Sequence, residues 1–364
     1  MKKVLLLGAG HAQLSVLAAL ARQRMAGAEV LLVTPYPRQL YSGMVPGLIA
    51  GRYAEDDCAI DVAPWAKAAG VHLRIGQAVA LDTAARLVTL ADGEPVGYDV
   101  LSINTGPRQD RDLIAGAREH ALFVRPIEHF LTLWKATLPL AAERPLALVV
   151  IGSGAGGVEL ILAMRAALGA RHSLSLVSEG PILPNYGDAV RTRAIKALRR
   201  ANVQVLMGHC NAVEGQHVVV GTMRVVCDVP IIATGSDAPT WLADSGLALD
   251  DDGFVRVGAT LQSASHPNVF AAGDVIVRDD APHPRSGVYA VRAGPVLAAN
   301  LRAFVAGGAL QSYVPQPRSL NLLATGDGSA IASWGTWSAQ GWLMGWWKDR
   351  IDRAFIARFR APAL

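Results

Sequence analysis

The stretch Leu146-Ala147-Leu148-Val149-Val150-Ile151-Gly152-Ser153-Gly154-Ala155-Gly156-Gly157-Val158-Glu159 decides the fold. An apolar run meets Gly-x-Gly-x-x-Gly, and a helical pattern follows through Ala170. In such a turn Gly152 allows the tight reversal and Gly154 lets backbone approach a pyrophosphate. Gly157 lets the helix pack close to the strand. The helix then aims free N–H groups and its positive dipole end at the anion. Ser173-Leu174-Ser175-Leu176-Val177-Ser178-Glu179 reads as the partner strand, and Glu179 lies 22 residues after Gly157. An acid at that place accepts the adenosine ribose hydroxyls. No arginine follows Glu179 closely, which favours NADH over NADPH, whose extra phosphate calls for a cation.

The N-terminus repeats this plan with changes. Val4-Leu5-Leu6-Leu7-Gly8-Ala9-Gly10-His11-Ala12-Gln13 is a strand, a glycine turn and the start of an Ala- and Leu-rich helix. Gln13 stands where the fingerprint has Gly or Ala, and the second strand ends in Thr34-Pro35 rather than an acid. Each half then carries short β segments, with Asp92-Gly93 a hairpin turn in the first. Each reaches a strand ending in Thr-Gly, at Asn104-Thr105-Gly106 and at Ala233-Thr234-Gly235. Helices are expected over 127–140, 188–201 and about 288–305. The last motif is His266-Pro267-Asn268-Val269-Phe270-Ala271-Ala272-Gly273-Asp274, a strand ending at a glycine followed by an acid. The reading is an α/β protein with two Rossmann-like dinucleotide-binding domains and a small C-terminal α+β region.

Composition narrows the class. The chain of 364 residues is 51% hydrophobic and 18% charged, which suits buried parallel strands and their covering helices. No apolar run reaches the roughly 18–20 residues of a membrane span. The N-terminal lysines precede a stretch broken by the glycine turn, so it reads as a strand and not a targeting segment. A net charge of +4 without a basic run interleaved with aromatics gives no reason to expect nucleic-acid binding. Cys58, Cys210 and Cys227 are odd in number, far apart and form no Cys-x-x-Cys pair. They argue against a disulfide scaffold or metal site and for a reduced cytoplasmic compartment.

Two dinucleotide units, two Thr-Gly strand ends and Asn268–Asp274 together resemble the two-dinucleotide-binding flavoproteins of the pyridine nucleotide–disulfide oxidoreductase superfamily, over roughly residues 1–305. Arg38-Gln39-Leu40-Tyr41-Ser42-Gly43-Met44-Val45-Pro46-Gly47 and Gly287-Val288-Tyr289-Ala290-Val291-Arg292-Ala293-Gly294-Pro295 are most similar to the type II NADH dehydrogenase branch. More narrowly they resemble the NADH-dehydrogenase-like proteins associated with selenide, water dikinase. The resemblance implies FAD in the first site and NADH in the second. Gly8, Gly10, His11 and Ala12 would face the FAD pyrophosphate, and Thr34, Arg38, Ser42, Thr105 and Gly106 would belong to the same site. Asp274, after Gly273, would accept a ribityl hydroxyl. The helix beginning near Val288 and Tyr289 would aim at the flavin pyrimidine edge, where negative charge builds on reduction. Tyr41 and Pro46 would lie near the isoalloxazine ring. Gly152, Gly154, Gly157 and Gly235 would hold NADH, with Glu179 on its adenosine ribose and Glu159 near the nicotinamide. The flavin carries the chemistry, and Glu159, Tyr41 and Pro46 are the candidate side chains. The expected domains are 1–108 with 240–308 for FAD, 109–239 for NADH, and 309–364 as the C-terminal region.

The redox cysteine pair of the disulfide reductases is absent near residues 38–50, as is the widely separated pair of a sulfide:quinone oxidoreductase. Electrons are therefore expected to pass from NADH to flavin to an external acceptor, a quinone first. A soluble partner or small oxidised substrate, including a selenium compound, stands second, and a flavin-bound interaction module third. The tail Trp342–Phe359 is helical in pattern, with Trp347, Ile351, Ala354, Phe355 and Phe359 on one apolar face. Its Trp, Arg and Lys residues suit a membrane interface, here the inner face of the cell membrane. Packing on its own domain or across a homodimer explains the same pattern equally well.

Overall fold

The strands before the two Gly-x-Gly turns and the strands ending in Thr-Gly lie in two parallel sheets. The computed structural model describes residues 1–362. The first elements are β1 (Lys2–Leu7), α1 (His11–Arg22), β2 (Ala28–Thr34), β3 (His72–Ile75) and β4 (Val100–Ile103). Then come β5 (Leu122–Phe123), α2 (Ile127–Glu143), β6 (Ala147–Ile151), α3 (Ala155–Leu168), β7 (Ser173–Ser178), α4 (Asp188–Arg200), β8 (Val203–Met207) and β9 (Val229–Ile232). The chain closes with β10 (Val269–Ala271), α5 (Gly287–Ala306), β11 (Asn321–Ala324), β12 (Ala330–Trp334), β13 (Trp337–Gly341) and α6 (Trp342–Phe359).

The first sheet has the order β10-β4-β1-β2-β3 and the second β5-β9-β6-β7-β8. In each, the strand before the glycine turn is central, flanked by its partner strand and by the strand ending in Thr-Gly. That order opens a crevice at the carboxyl ends of the strands. β1 pairs in register with β2, from Lys2 opposite Ala28 to Leu7 opposite Val33. β10 pairs with β4, Val269 opposite Leu101, so the first sheet is completed only after the second has been threaded through the chain. Gln109 ties the crossing strands together, donating from Nε2 to the carbonyls of Ile232 and Thr234 at 3.2 Å each.

Burial on both faces explains the near-continuous apolar strands. Along β6, Leu148 and Val150 join a core with Phe130, Trp134 and Ile161, whereas Val149 and Ile151 share one with Val213, Val218 and Val220 of an antiparallel sheet made by Cys210–Glu214, His217–Val220 and Met223–Val226. In the first unit α1 packs along α5 because both contacts are small. A Cβ on Gly294 would stand 2.6 Å from the Ser15 hydroxyl oxygen.

The tail is wedged against both units. β11, β12 and β13 form an antiparallel sheet, and the turn between β11 and β12 approaches α3 so closely that a Cβ on Gly326 would collide with the Leu162 carbonyl oxygen. α6 buries only part of the face its apolar spacing predicts: Phe355 and Phe359 pack inward, and Trp347, Ile351 and Ala354 do not. Asp352, Ile356 and Phe359 are buried, whereas Trp347 and Ile351 are 39% and 41% exposed. The cause is a buried ion pair. Lys348 Nζ reaches Asp352 at 2.8 Å and donates to the Gly43 carbonyl at 2.6 Å, which turns the 348–352–356–359 stripe inward. Trp65 Nε1 donates to the Phe359 carbonyl at 2.8 Å and Tyr53 to Asp349 at 2.7 Å, locking the helix in place.

Candidate functional site

At the first glycine turn the close approach is to protein. Gly8 has φ +82°, and a Cβ on Gly10 would stand 2.5 Å from Asn104 Oδ1. Asn104 Oδ1 accepts the backbone N–H of Ala12 and of Gln13, each at 3.1 Å, and its Nδ2 donates to the Ala272 carbonyl at 2.6 Å. Asn104 thus joins the start of α1, the end of β4 and the end of β10. Gln13 is fully buried. It donates to the Ser102 carbonyl at 3.0 Å and accepts from the Ser102 hydroxyl at 3.3 Å. The residue that departs from the fingerprint is thereby pinned to β4.

In front of this turn opens a cleft of about 740 Å³. Of the residues singled out for the first site, Gly8, Gly10, His11, Thr34, Ser42, Thr105, Gly106, Gly273 and Asp274 line it. Asp274 is set deep, and its Oδ1 is buried with no hydrogen-bond partner among the described residues. Burial pushes its carboxyl above the usual range, against the opposing pull of Arg125, Arg285 and His283. Arg125 is the residue sequence reasoning missed. It lines the cleft and its charge reaches both Asp274 and His11. Its one sequence signal is a cation before a proline at the head of α2. His11 packs against the stacked pair of Tyr41 and Phe355, at centroid distances of 5.6 and 5.4 Å. Burial, and then Arg125, push its imidazole down to about 4, so it is neutral at pH 7.

Other predicted residues are placed elsewhere. Arg38 does not reach the cleft, because carboxylates on the surface take its guanidinium: Asp56 at 2.6 Å and Asp61 at 3.0 Å. Tyr41 stacks on Phe355 at 4.5 Å, which brings the tail helix to the edge of the site. Pro46 lines a second, smaller cleft with Arg52, Tyr53, Lys348 and Asp352. Val288 is exposed at 36%. Tyr289 is buried under His283, its ring 4.8 Å from the imidazole. Gly287 and Ala290 are the α5 residues on the large cleft. Ala12 contributes an N–H that Asn104 already holds.

The second turn is more open. Gly152 has φ +115°, and a Cβ on Gly154 or Gly235 would meet nothing within 4 Å. A Cβ on Gly157 would collide with the Gly152 carbonyl oxygen, so only glycine lets α3 sit this close to the turn. No side chain among the described residues accepts the N–H groups of Gly156 or Gly157 as Asn104 does in the first turn. Ser178 at the end of β7 donates to the Gly180 carbonyl at 2.5 Å and lies 2.5 Å from the Ser153 hydroxyl oxygen. This latches the start of the Glu179 loop to the glycine turn. Glu179 is exposed and paired with His209 Nδ1 at 3.1 Å. Glu159, one turn into α3, accepts the Ala324 N–H at 2.7 Å. Burial raises its carboxyl to about 7, while Lys348 and the Ala324 amide pull the other way.

Cys58, Cys210 and Cys227 are buried and free, and burial pushes the Cys58 thiol up to about 12. Among the described residues no cluster of His, Cys, Asp or Glu could hold a metal ion, and no helix is long and apolar enough to cross a membrane.

The family model described as pyridine nucleotide-disulphide oxidoreductase matches residues 2–294. A type II NADH:quinone oxidoreductase of Mycobacterium tuberculosis is 26% identical over 320 residues, covering 75% of this chain and 66% of its own length. The ferredoxin–NAD(+) reductase component of a biphenyl dioxygenase system from Paraburkholderia xenovorans is 29% identical over 285 residues, covering 75% and 67%. The chain thus spans about two thirds of these curated relatives. Among solved structures, a sulfide:quinone oxidoreductase from Aquifex aeolicus superposes with a TM-score of 0.82 at 18% identity, covering 99% of this chain and 92% of that one.

Proposed function

This chain belongs to the pyridine nucleotide-disulphide oxidoreductase family, and we propose that within it the protein carries electrons from NADH to a quinone at a membrane surface. It is an oxidoreductase that uses FAD and NADH, and the large cleft fits the flavin cofactor on its own evidence. Among the described residues Asp274 has a buried carboxylate oxygen with no hydrogen-bond partner, and Arg125 lines the same cleft with no side-chain partner. When bound, FAD supplies the ring that accepts hydride from NADH and hands electrons onward.

The chain's own residues do the rest. Gly8, Gly10 and Arg125 would hold the pyrophosphate, Asp274 a ribityl hydroxyl, and Thr34 and Gly106 the adenosine end. Gly287 opens α5 at the cleft, so the positive end of that helix faces the cofactor's ring end. Neutral His11 adds no competing charge there. Gly152, Gly154 and Gly157 would take the NADH pyrophosphate and Glu179 its ribose. Glu159, with a carboxyl near neutrality, suits the holding of a proton beside the nicotinamide or the acceptor.

The observation that carries the quinone reading is the two-sided tail. Its inner face brings Phe355 onto Tyr41 and His11 at the cleft edge. Its outer edge exposes Trp334, Trp337, Trp342, Leu343, Trp346, Trp347 and Ile351. Aromatic rings with a cationic fringe, such as Arg350 over Trp346 at 5.2 Å, suit the headgroup region of a bilayer. An apolar acceptor would arrive there without crossing water. All three cysteines are buried, so this reading has no protein thiol relay and the acceptor would take electrons from the flavin directly. Liposome flotation and an acceptor screen test this. The wild type should float with vesicles and reduce quinones fastest, and a triple Trp342→Ser, Trp346→Ser, Trp347→Ser variant should do neither. No flotation by the wild type would remove the membrane surface from the reading. The second reading is an acidic electron-carrier protein or other soluble partner, favoured by the net charge of +4 and by the ferredoxin reductase among the relatives.

A further inference from the structure

We propose that His209 is a positioning residue that sets the choice of nicotinamide cofactor, by holding the Glu179 carboxylate in the orientation that accepts an unphosphorylated ribose. The inference rests on the reading of Glu179 as the ribose acid.

Glu179 and His209 come from separate loops, after β7 and after β8, at the carboxyl edge of the second sheet. Their side chains are 76% and 62% exposed, yet Nδ1 and Oε1 stand 3.1 Å apart. Exposed pairs of this kind add little to stability, so the contact does not account for itself as a structural bond. Both backbones are nevertheless fixed. The Gly208 N–H donates to the Ser178 carbonyl and the Gly221 N–H to the His209 carbonyl, each at 2.9 Å. Gly208, at φ +144°, makes the bend that turns His209 back across the end of β7. On the other side, Ser178 joins Ser153 and Gly180, so the carboxylate is held in register with the pyrophosphate turn.

The chemistry follows from the geometry. The imidazole occupies Oε1 and leaves Oε2 for a ribose hydroxyl. A carboxylate so fixed repels a 2′-phosphate. A permanent cation in place of the imidazole would neutralise the carboxylate and offer a fork to that phosphate.

The test uses flavin-loaded enzyme titrated calorimetrically with ADP-ribose and with its 2′-phosphate, beside steady-state kinetics with NADH and NADPH. His209→Ala should weaken ADP-ribose about 3- to 10-fold, the range of one lost hydrogen bond, with the change falling on KM for NADH and not on kcat. His209→Arg should raise the preference for the 2′-phosphate form about tenfold or more. His209→Gln, which can still donate at this reach, should restore part of the loss. If Glu179→Gln abolishes discrimination while both His209→Ala and His209→Arg leave it untouched, the proposal for His209 is overturned and the ribose acid stands. If Glu179→Gln also changes nothing, Glu179 is not the ribose acid and both readings fall.

Discussion

At the first glycine turn the leading N–H groups of α1 belong to Asn104 Oδ1, whereas at the second the start of α3 is capped by no side chain of the described residues. The first helix begins over a polar knot of Asn104, Gln13 and Ser102, and the second begins almost in contact with its own turn through Gly157. Two turns with one sequence plan are therefore built differently. The first is completed internally, and on the proposed reading Gly8, Gly10, Arg125 and Asp274 are left for a cofactor that stays. The second leaves its leading amides without a side-chain partner among the described residues, which on the same reading suits a ligand that enters and leaves on every cycle. This division between resident cofactor and exchanging substrate is what the contrast teaches.

The contrast can be broken most severely at Asn104. Asn104→Ala deletes three buried hydrogen bonds and leaves two helix amides unpaired, which should cost about 3–5 kcal/mol and release the flavin. Urea unfolding and the absorbance of retained flavin measure it. Gln13→Gly makes the first fingerprint look like the second, yet should destabilise by about 2–4 kcal/mol, because it opens a cavity and frees Ser102. Recovery of full stability in that variant would show that the glutamine is incidental.

Glu159 sharpens the other side. Its folded carboxyl titrates at about 7 against 4.5 unfolded, so between those values the folded state binds the extra proton. Its stabilising contribution is whole below about 4.5 and is lost as pH rises through about 7, a change of up to about 3 kcal/mol. Glu159→Gln should flatten that part of the stability–pH curve, read by thermal unfolding in a series of buffers. Gly157→Ala should cost about 1–3 kcal/mol by overpacking and raise KM for NADH about tenfold or more while flavin content holds. The smallest effect is expected at Arg38, outside both turns. Arg38→Ala breaks only exposed ion pairs, so stability should move by less than about 1 kcal/mol and flavin content not at all.

The sheets were legible because their determinants are local. Apolar runs meeting glycines at fixed spacing specify strand, turn and helix within a dozen residues, and Asn268–Asp274 marks the return to the first sheet. What was not legible depends on partners far along the chain. Asn104 reads as the residue before Thr105-Gly106, but its bonds go to residues 91 and 92 positions earlier and to Ala272. Arg125 carries no motif, and only the fold swings it over the first turn. Arg38 follows the right strand, yet Asp56 and Asp61 lie nearer than the cleft. On α6 the apolar periodicity named Phe355 and Phe359 correctly, but the buried Lys348–Asp352 pair displaced Trp347 and Ile351, because Gly43 offers the ammonium a carbonyl inside. A charge with a waiting partner outweighed a tryptophan that can remain at the surface.

The threading of one sheet through the other bears on synthesis. The second sheet draws all its strands from residues 122–232, so it can close while the C-terminal third is still being made. The first sheet, begun at Lys2, waits for β10 at residues 269–271 to cover β4. On the ribosome the later-encoded unit is thus free to finish first. Until then β4 presents an unpaired edge, open to mispairing with another strand.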